Sequence, residues 1–148
     1  MKRLALFALI LALGASPVFA QSVADVNASI ETVLGDPAKY GEAFEAIQAA
    51  VGAGEAAVVA DWVSYPITVR EGGDEVTIEG PEDFIAQYDQ IITDAISQAV
   101  VSQKYEDLFV NADGVMFGNG EVWLNGICKD DACSDFDVKI VTIQSTAD

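Results

Sequence analysis

Histidine is absent from this chain, so the chemistry open to it runs through carboxylates, phenols and thiols. Histidine triads, histidine general bases and most zinc sites are excluded. Asp61, Asp89, Tyr65 and Tyr88 are the types that a carboxylate base with a tyrosine-containing oxyanion hole requires. Their spacing matches no catalytic motif, and Asp89 lies off the apolar stripe of its segment. No Ser, Cys or Lys nucleophile has a base beside it, so no catalytic residue is assigned.

Aromatic side chains are the better candidates. Trp62, Tyr65, Phe84, Tyr88, Phe117 and Trp123 lie on segments that would surround one interior. They either line a pocket for a small apolar or aromatic ligand, or fill a core with their polar atoms satisfied. Trp62, Tyr65, Tyr88 and Trp123 are the candidate ligand-binding residues. Alternation puts Val122 and Leu124 on one face of their strand and Trp123 on the other. If the first two face the core, Trp123 marks an outer partner surface.

Asp130, Asp131, Asp135 and Asp137 form the densest acidic group. Oxygen ligands suit calcium, but the Asp-x-Asp-x-Asp-Gly loop is missing, so the group is read as a solvated loop and no metal or cofactor is expected. Cys128 and Cys133 flank it. They lack the Cys-x-x-Cys spacing of a redox pair and are read as a structural disulfide across a hairpin tip.

The elements that position these residues are signalled locally. Residues 21–35 read as a polar lead-in with a short helix around Val26 to Leu34. Asp36-Pro37 is an N-cap followed by proline at the first helical position, and Tyr40, Phe44, Ile47 and Val51 make one apolar stripe ended by Gly52 and Gly54. A shorter helix covers Glu55 to Val63. Tyr65, Ile67 and Val69 alternate as a strand with Pro66 at an edge or an unpaired start, and Glu71 to Asp74 turns back to Val76 and Ile78. Gly80-Pro81 opens a second long helix carrying Phe84, Ile85, Tyr88, Ile91, Ile92, Ala95, Ile96 and Ala99. The rest is a meander: Leu108–Val110, Val115–Phe117, Glu121–Ile127 and Phe136–Ile143, with Asn119-Gly120 expected as a type I′ turn. Helices then pack on one face of a curved antiparallel sheet, an α+β fold in a single domain from 36 to 148.

Lys2 and Arg3, the apolar run Leu4 to Ala15, the break at Ser16-Pro17 and the small residues Val18 and Ala20 read as a secretory signal peptide. The expected mature chain starts at Gln21 and is periplasmic or secreted, without membrane anchoring. It keeps five basic residues against 24 acidic ones, a net charge of −19. Such a charge repels nucleic acid and steers cationic partners inward.

The element order resembles the nuclear transport factor 2-like superfamily, with its ketosteroid isomerase-like and SnoaL-like cyclase relatives. Phe84-Ile-Ala-Gln-Tyr88-Asp-Gln-Ile91, Gln103-Lys-Tyr-Glu-Asp-Leu-Phe109 and Gly114-Val-Met-Phe-Gly-Asn-Gly-Glu-Val-Trp123 carry the resemblance, to a secreted bacterial branch. It implies a cone with a pocket between the helices and the concave sheet face. Its members include enzymes and binding domains, so fold leaves function open. Three functions are expected. The first is a secreted non-enzymatic domain that binds a small apolar ligand or a protein partner. The second is an acidic binder or inhibitor of a basic extracytoplasmic protein such as a cell-wall hydrolase. The third is a cofactor-free isomerase- or cyclase-like enzyme.

Overall fold

Ser22 opens the first helix with a reciprocal cap, its hydroxyl accepting from the Asp25 N–H while the Asp25 carboxylate accepts from the Ser22 N–H at 2.9 Å. The computed structural model describes residues 21–71 and 73–145; the expected signal peptide at 1–20 lies outside them. Helix α1 (Val23–Val33) is longer than the lead-in reading suggested, and Val26 and Ile30 are fully buried in the core. Asp36 caps α2 (Pro37–Ala53) by accepting from the Ala38 N–H at 2.9 Å, and Gly54 closes it at φ 68°. Helix α3 (Ala56–Asp61) follows.

Strands β1 (Ile67–Glu71) and β2 (Asp74–Ile78) form the expected hairpin, and Pro66 precedes β1, where a missing N–H breaks no ladder bond. The Tyr65–Pro66 peptide is cis.

The second long helix is broken into α4 (Pro81–Ala86), α5 (Tyr88–Ile91) and α6 (Asp94–Ser102). Ile92 leaves helical geometry at ψ 72°, and Thr93 starts α6 from an extended conformation. The breaks redirect the stripe: Phe84, Ile91, Ile92, Ile96 and Val100 are buried, while Ile85 is left exposed. Gln48 secures the end of α6 by donating to the carbonyls of Val100 at 3.0 Å and Gln103 at 2.8 Å.

After a 3₁₀ turn at Tyr105–Asp107 come β3 (Phe109–Asn111), β4 (Gly114–Phe117), β5 (Val122–Cys128) and β6 (Phe136–Gln144). The α+β fold is as the sequence indicates: among the described residues, six helices lie against one curved, open sheet ordered β2-β1-β6-β5-β4-β3. One seam departs from the antiparallel expectation, since β1 and β6 run parallel. The crossover through α4 to α6 separates the hairpin from the meander and allows that direction. The β4–β5 turn also differs. Asn119 keeps a negative φ, and Gly118 (62°) and Gly120 (117°) supply the positive angles of a longer loop, so it is not type I′.

Candidate functional site

The space between helices and sheet is occupied by side chains. Phe44 and Phe117 stack with centroids 5.1 Å apart, Tyr105 closes edge-on against Phe44 at 5.3 Å, and Tyr40, Phe84 and Leu124 are fully buried in the same core. Glu121 is the one buried charged side chain among the described residues. Its carboxylate accepts from the Asn119 N–H at 2.6 Å and so helps to shape the β4–β5 turn.

The four candidate aromatics do not converge. Tyr65 and Tyr88 flank Phe84 edge-on, at 6.3 and 6.1 Å. Burial pushes the Tyr65 phenol up to about 12, with the Asp61 and Glu82 carboxylates adding to it, and its hydroxyl donates to the Ala60 carbonyl at 3.1 Å. That proton is engaged within the fold. Burial, then Asp89, also raises the Tyr88 phenol, whose hydroxyl is the buried side-chain atom left without a hydrogen-bond partner among the described residues. Trp123 lies on the outer sheet face, because its neighbours Val122 and Leu124 point into the core. There it meets Phe109 edge-on at 6.3 Å, and Phe109 is 51% exposed.

Trp62 stands elsewhere, at the end of α3. The Ile140 N–H donates to the Trp62 carbonyl at 2.7 Å and the Ser64 N–H to the Ile140 carbonyl at 2.9 Å, so β6 fixes its backbone. Beside it an open groove of about 590 Å³ runs between the helices and the β5–β6 hairpin. Val58, Trp62, Phe136 and Val138 give it apolar surface, and Lys39, Lys129 and Lys139 stand among the carboxylates Glu42, Asp61 and Asp137.

Sequence reasoning did not assemble this groove. The signal available was that three of the five basic residues after position 20 meet here. Lys39 bonds Asp135 at 2.6 Å, and Lys129 bonds Asp137 at 2.8 Å and Asp135 at 3.2 Å. Hydrogen bonds from Lys39 and then Lys129 hold the Asp135 carboxyl down at about 2, and Asp137 and Asp135 raise the Lys129 ammonium. Lys139 is different: its ammonium donates to the Asp61 backbone carbonyl at 2.7 Å, and no carboxylate among the described residues forms an ion pair with it.

The acidic loop is organised internally. Cys128 and Cys133 are joined by a disulfide, and Asp130 accepts from the N–H groups of Ala132 and Ser134, both at 3.0 Å, and from the Ser134 hydroxyl. Those bonds lower the Asp130 carboxyl, the one from the Ser134 hydroxyl most.

No helix among the described residues is long and apolar enough to cross a membrane. Compared with known proteins, the chain matches no family model, no curated protein and no solved structure.

Proposed function

We propose that the chain is an extracytoplasmic, non-enzymatic binding domain of nuclear transport factor 2-like type, and that its ligand sits in the groove beside Trp62 rather than inside the cone. The observation that carries this reading is the Phe44–Phe117 stack, which occupies the interior where a ligand of such a cone would lie. The groove offers the Trp62 indole, apolar surface and an ammonium, Lys139, with no carboxylate partner among the described residues. That combination suits a small amphipathic molecule with an aromatic or apolar body and one anionic group. The isomerase- or cyclase-like alternative needs an interior carboxylate facing a tyrosine hydroxyl. Glu121 is tied into a turn and the Tyr65 hydroxyl is tied to Ala60, which disfavours it.

Anilinonaphthalene sulfonate, an amphipathic aromatic anion, is a direct probe. Its fluorescence should rise on titration with the folded protein, and Trp62→Ala should abolish the rise while Trp123→Phe leaves it. Undiminished binding by a folded Trp62→Ala protein would overturn the groove reading.

A second reading, capture of a basic extracytoplasmic protein, is favoured by charge placement. From Glu71 to Gln103 there are eight carboxylates and no Lys or Arg. Binding of that kind weakens steeply as salt rises, whereas seating in the groove does so much less.

A further inference from the structure

Strand β2 is an edge of the sheet, with β1 on one side and, among the described residues, no strand on the other. Its register places Val76 opposite Val69, on the face turned toward the helices. Val69 is 4% exposed, yet Val76 is 49% exposed. The reason is a gap between this edge and α5. A pit of about 220 Å³ opens there, with Val69, Val76, Ile78 and Ile91 as its apolar lining and Asp74, Gln87 and Gln90 as its polar lining.

Edges of this kind present unpaired backbone donors and acceptors, and an apolar residue turned toward a pit beside them leaves both groups unsatisfied by the fold. The surroundings select the occupant. Glu79, Glu82, Asp83 and Asp89 follow β2 in the chain and are all exposed, and among the described residues the one ion pair of this stretch joins Glu75 to Arg70 at 2.6 Å. We infer that the β2 edge, with the Val76 pit, is a docking site for an extended, cationic, apolar-bearing segment of a partner protein. The segment adds a strand beside β2, sets an apolar side chain in the pit and brings its positive charge to this acidic region. This rests on the second reading above and gives it a surface and a binding mode. An anionic partner is repelled from the same edge, and a second copy of this chain brings like charge to it.

A dye-labelled decapeptide alternating Lys and Val, followed by fluorescence anisotropy at low salt, tests the inference. Two further peptides separate the contributions: one alternating Lys and Ser, with the same charge, and one of the Lys-Val sequence with N-methylated backbone amides, which cannot pair as a strand. The Lys-Val peptide should bind at least about tenfold more tightly than either. Val76→Ser should erase its advantage over the Lys-Ser peptide, with circular dichroism verifying the fold. The N-methylated comparison uses the unaltered protein and stands without that variant. Equal binding of all three peptides would overturn the edge site and leave charge capture standing. Binding of none of them would overturn both.

Discussion

Lys39 on α2 and Asp135 at the entrance to β6 meet at 2.6 Å, although 96 residues separate them in the chain. The same ammonium donates to the Phe136 carbonyl at 2.8 Å and lies 4.6 Å from the centroid of the Phe136 ring. One side chain thus joins the first long helix to the cysteine hairpin and forms one wall of the groove. Exposed ion pairs contribute little to stability alone, so the value of this contact lies in positioning.

The pair sets a pH window. The Asp135 carboxyl is lowered from 3.8 to about 2 in the fold. A depressed folded value means that the contribution is complete above the unfolded value and is lost as pH falls from about 4 to about 2. Lys39→Met should move the Asp135 titration upward, followed by carboxyl-carbon NMR. The rise should be incomplete because Lys129 still bonds the same group. An unchanged titration would show that Lys39 does not hold this carboxylate in solution.

Tyr88 carries a buried hydroxyl without a partner among the described residues, while its ring packs edge-on against Phe84 at 6.1 Å. Tyr88→Phe keeps the ring and removes the orphaned oxygen. A buried unsatisfied hydroxyl costs on the order of 1 kcal/mol or more, so urea unfolding should show a gain of about 1 kcal/mol. A loss of stability would mean that the hydroxyl is hydrogen-bonded in solution. Groove binding of the naphthalene probe should be unaffected.

Element ends were legible wherever the signal is local. Asp36-Pro37, Gly54, Gly80-Pro81 and the paired cysteines each act within a few residues, and each marks a boundary or link that the structure keeps. The division of the second helix was not legible, because Phe84, Ile91, Ile92 and Ile96 satisfy one helical period across breaks made by tertiary packing. The β4–β5 turn misled for a related reason. Asn-Gly does favour type I′, but Gly118 and the inward carboxylate of Glu121 offer a longer loop its own angles and bonds. Of the candidate site, Trp62 was legible and its setting was not. Lys39, Phe136 and Lys139 come together only when α2, α3 and β6 are packed, and no short-range pattern encodes that.

The disulfide closes a loop with a sequence separation of 5. Chain-entropy arguments give a loop of that size roughly 2 kcal/mol. Replacing Cys128 and Cys133 with Ser should lower stability by about that amount while the far-ultraviolet circular dichroism spectrum is retained. Asp130 and the Lys129–Asp137 pair still shape the tip, so the groove should keep its probe binding. Loss of the folded spectrum would assign the bridge a larger role.

Gly114 and Gly118 separate two kinds of glycine requirement. Gly114 begins β4 at φ 131°, and a Cβ there would collide with the Leu124 carbonyl of the neighbouring strand. Backbone in the middle of a ladder cannot step aside, and the angle itself excludes an ordinary L residue. Gly118 has φ 62°, and a Cβ there would meet the Glu121 carboxylate, a side chain able to swing away at the cost of its bond to Asn119. It would also meet the Ala99 Cβ at 3.0 Å, which a shift of a few tenths of an ångström relieves. Gly114→Ala should therefore destabilise by more than about 2 kcal/mol and Gly118→Ala by about 1 kcal/mol. Urea midpoints of the two variants give the order directly. If Gly118→Ala were the more damaging, the turn around Glu121 would hold the sheet more firmly than the β4–β5 pairing.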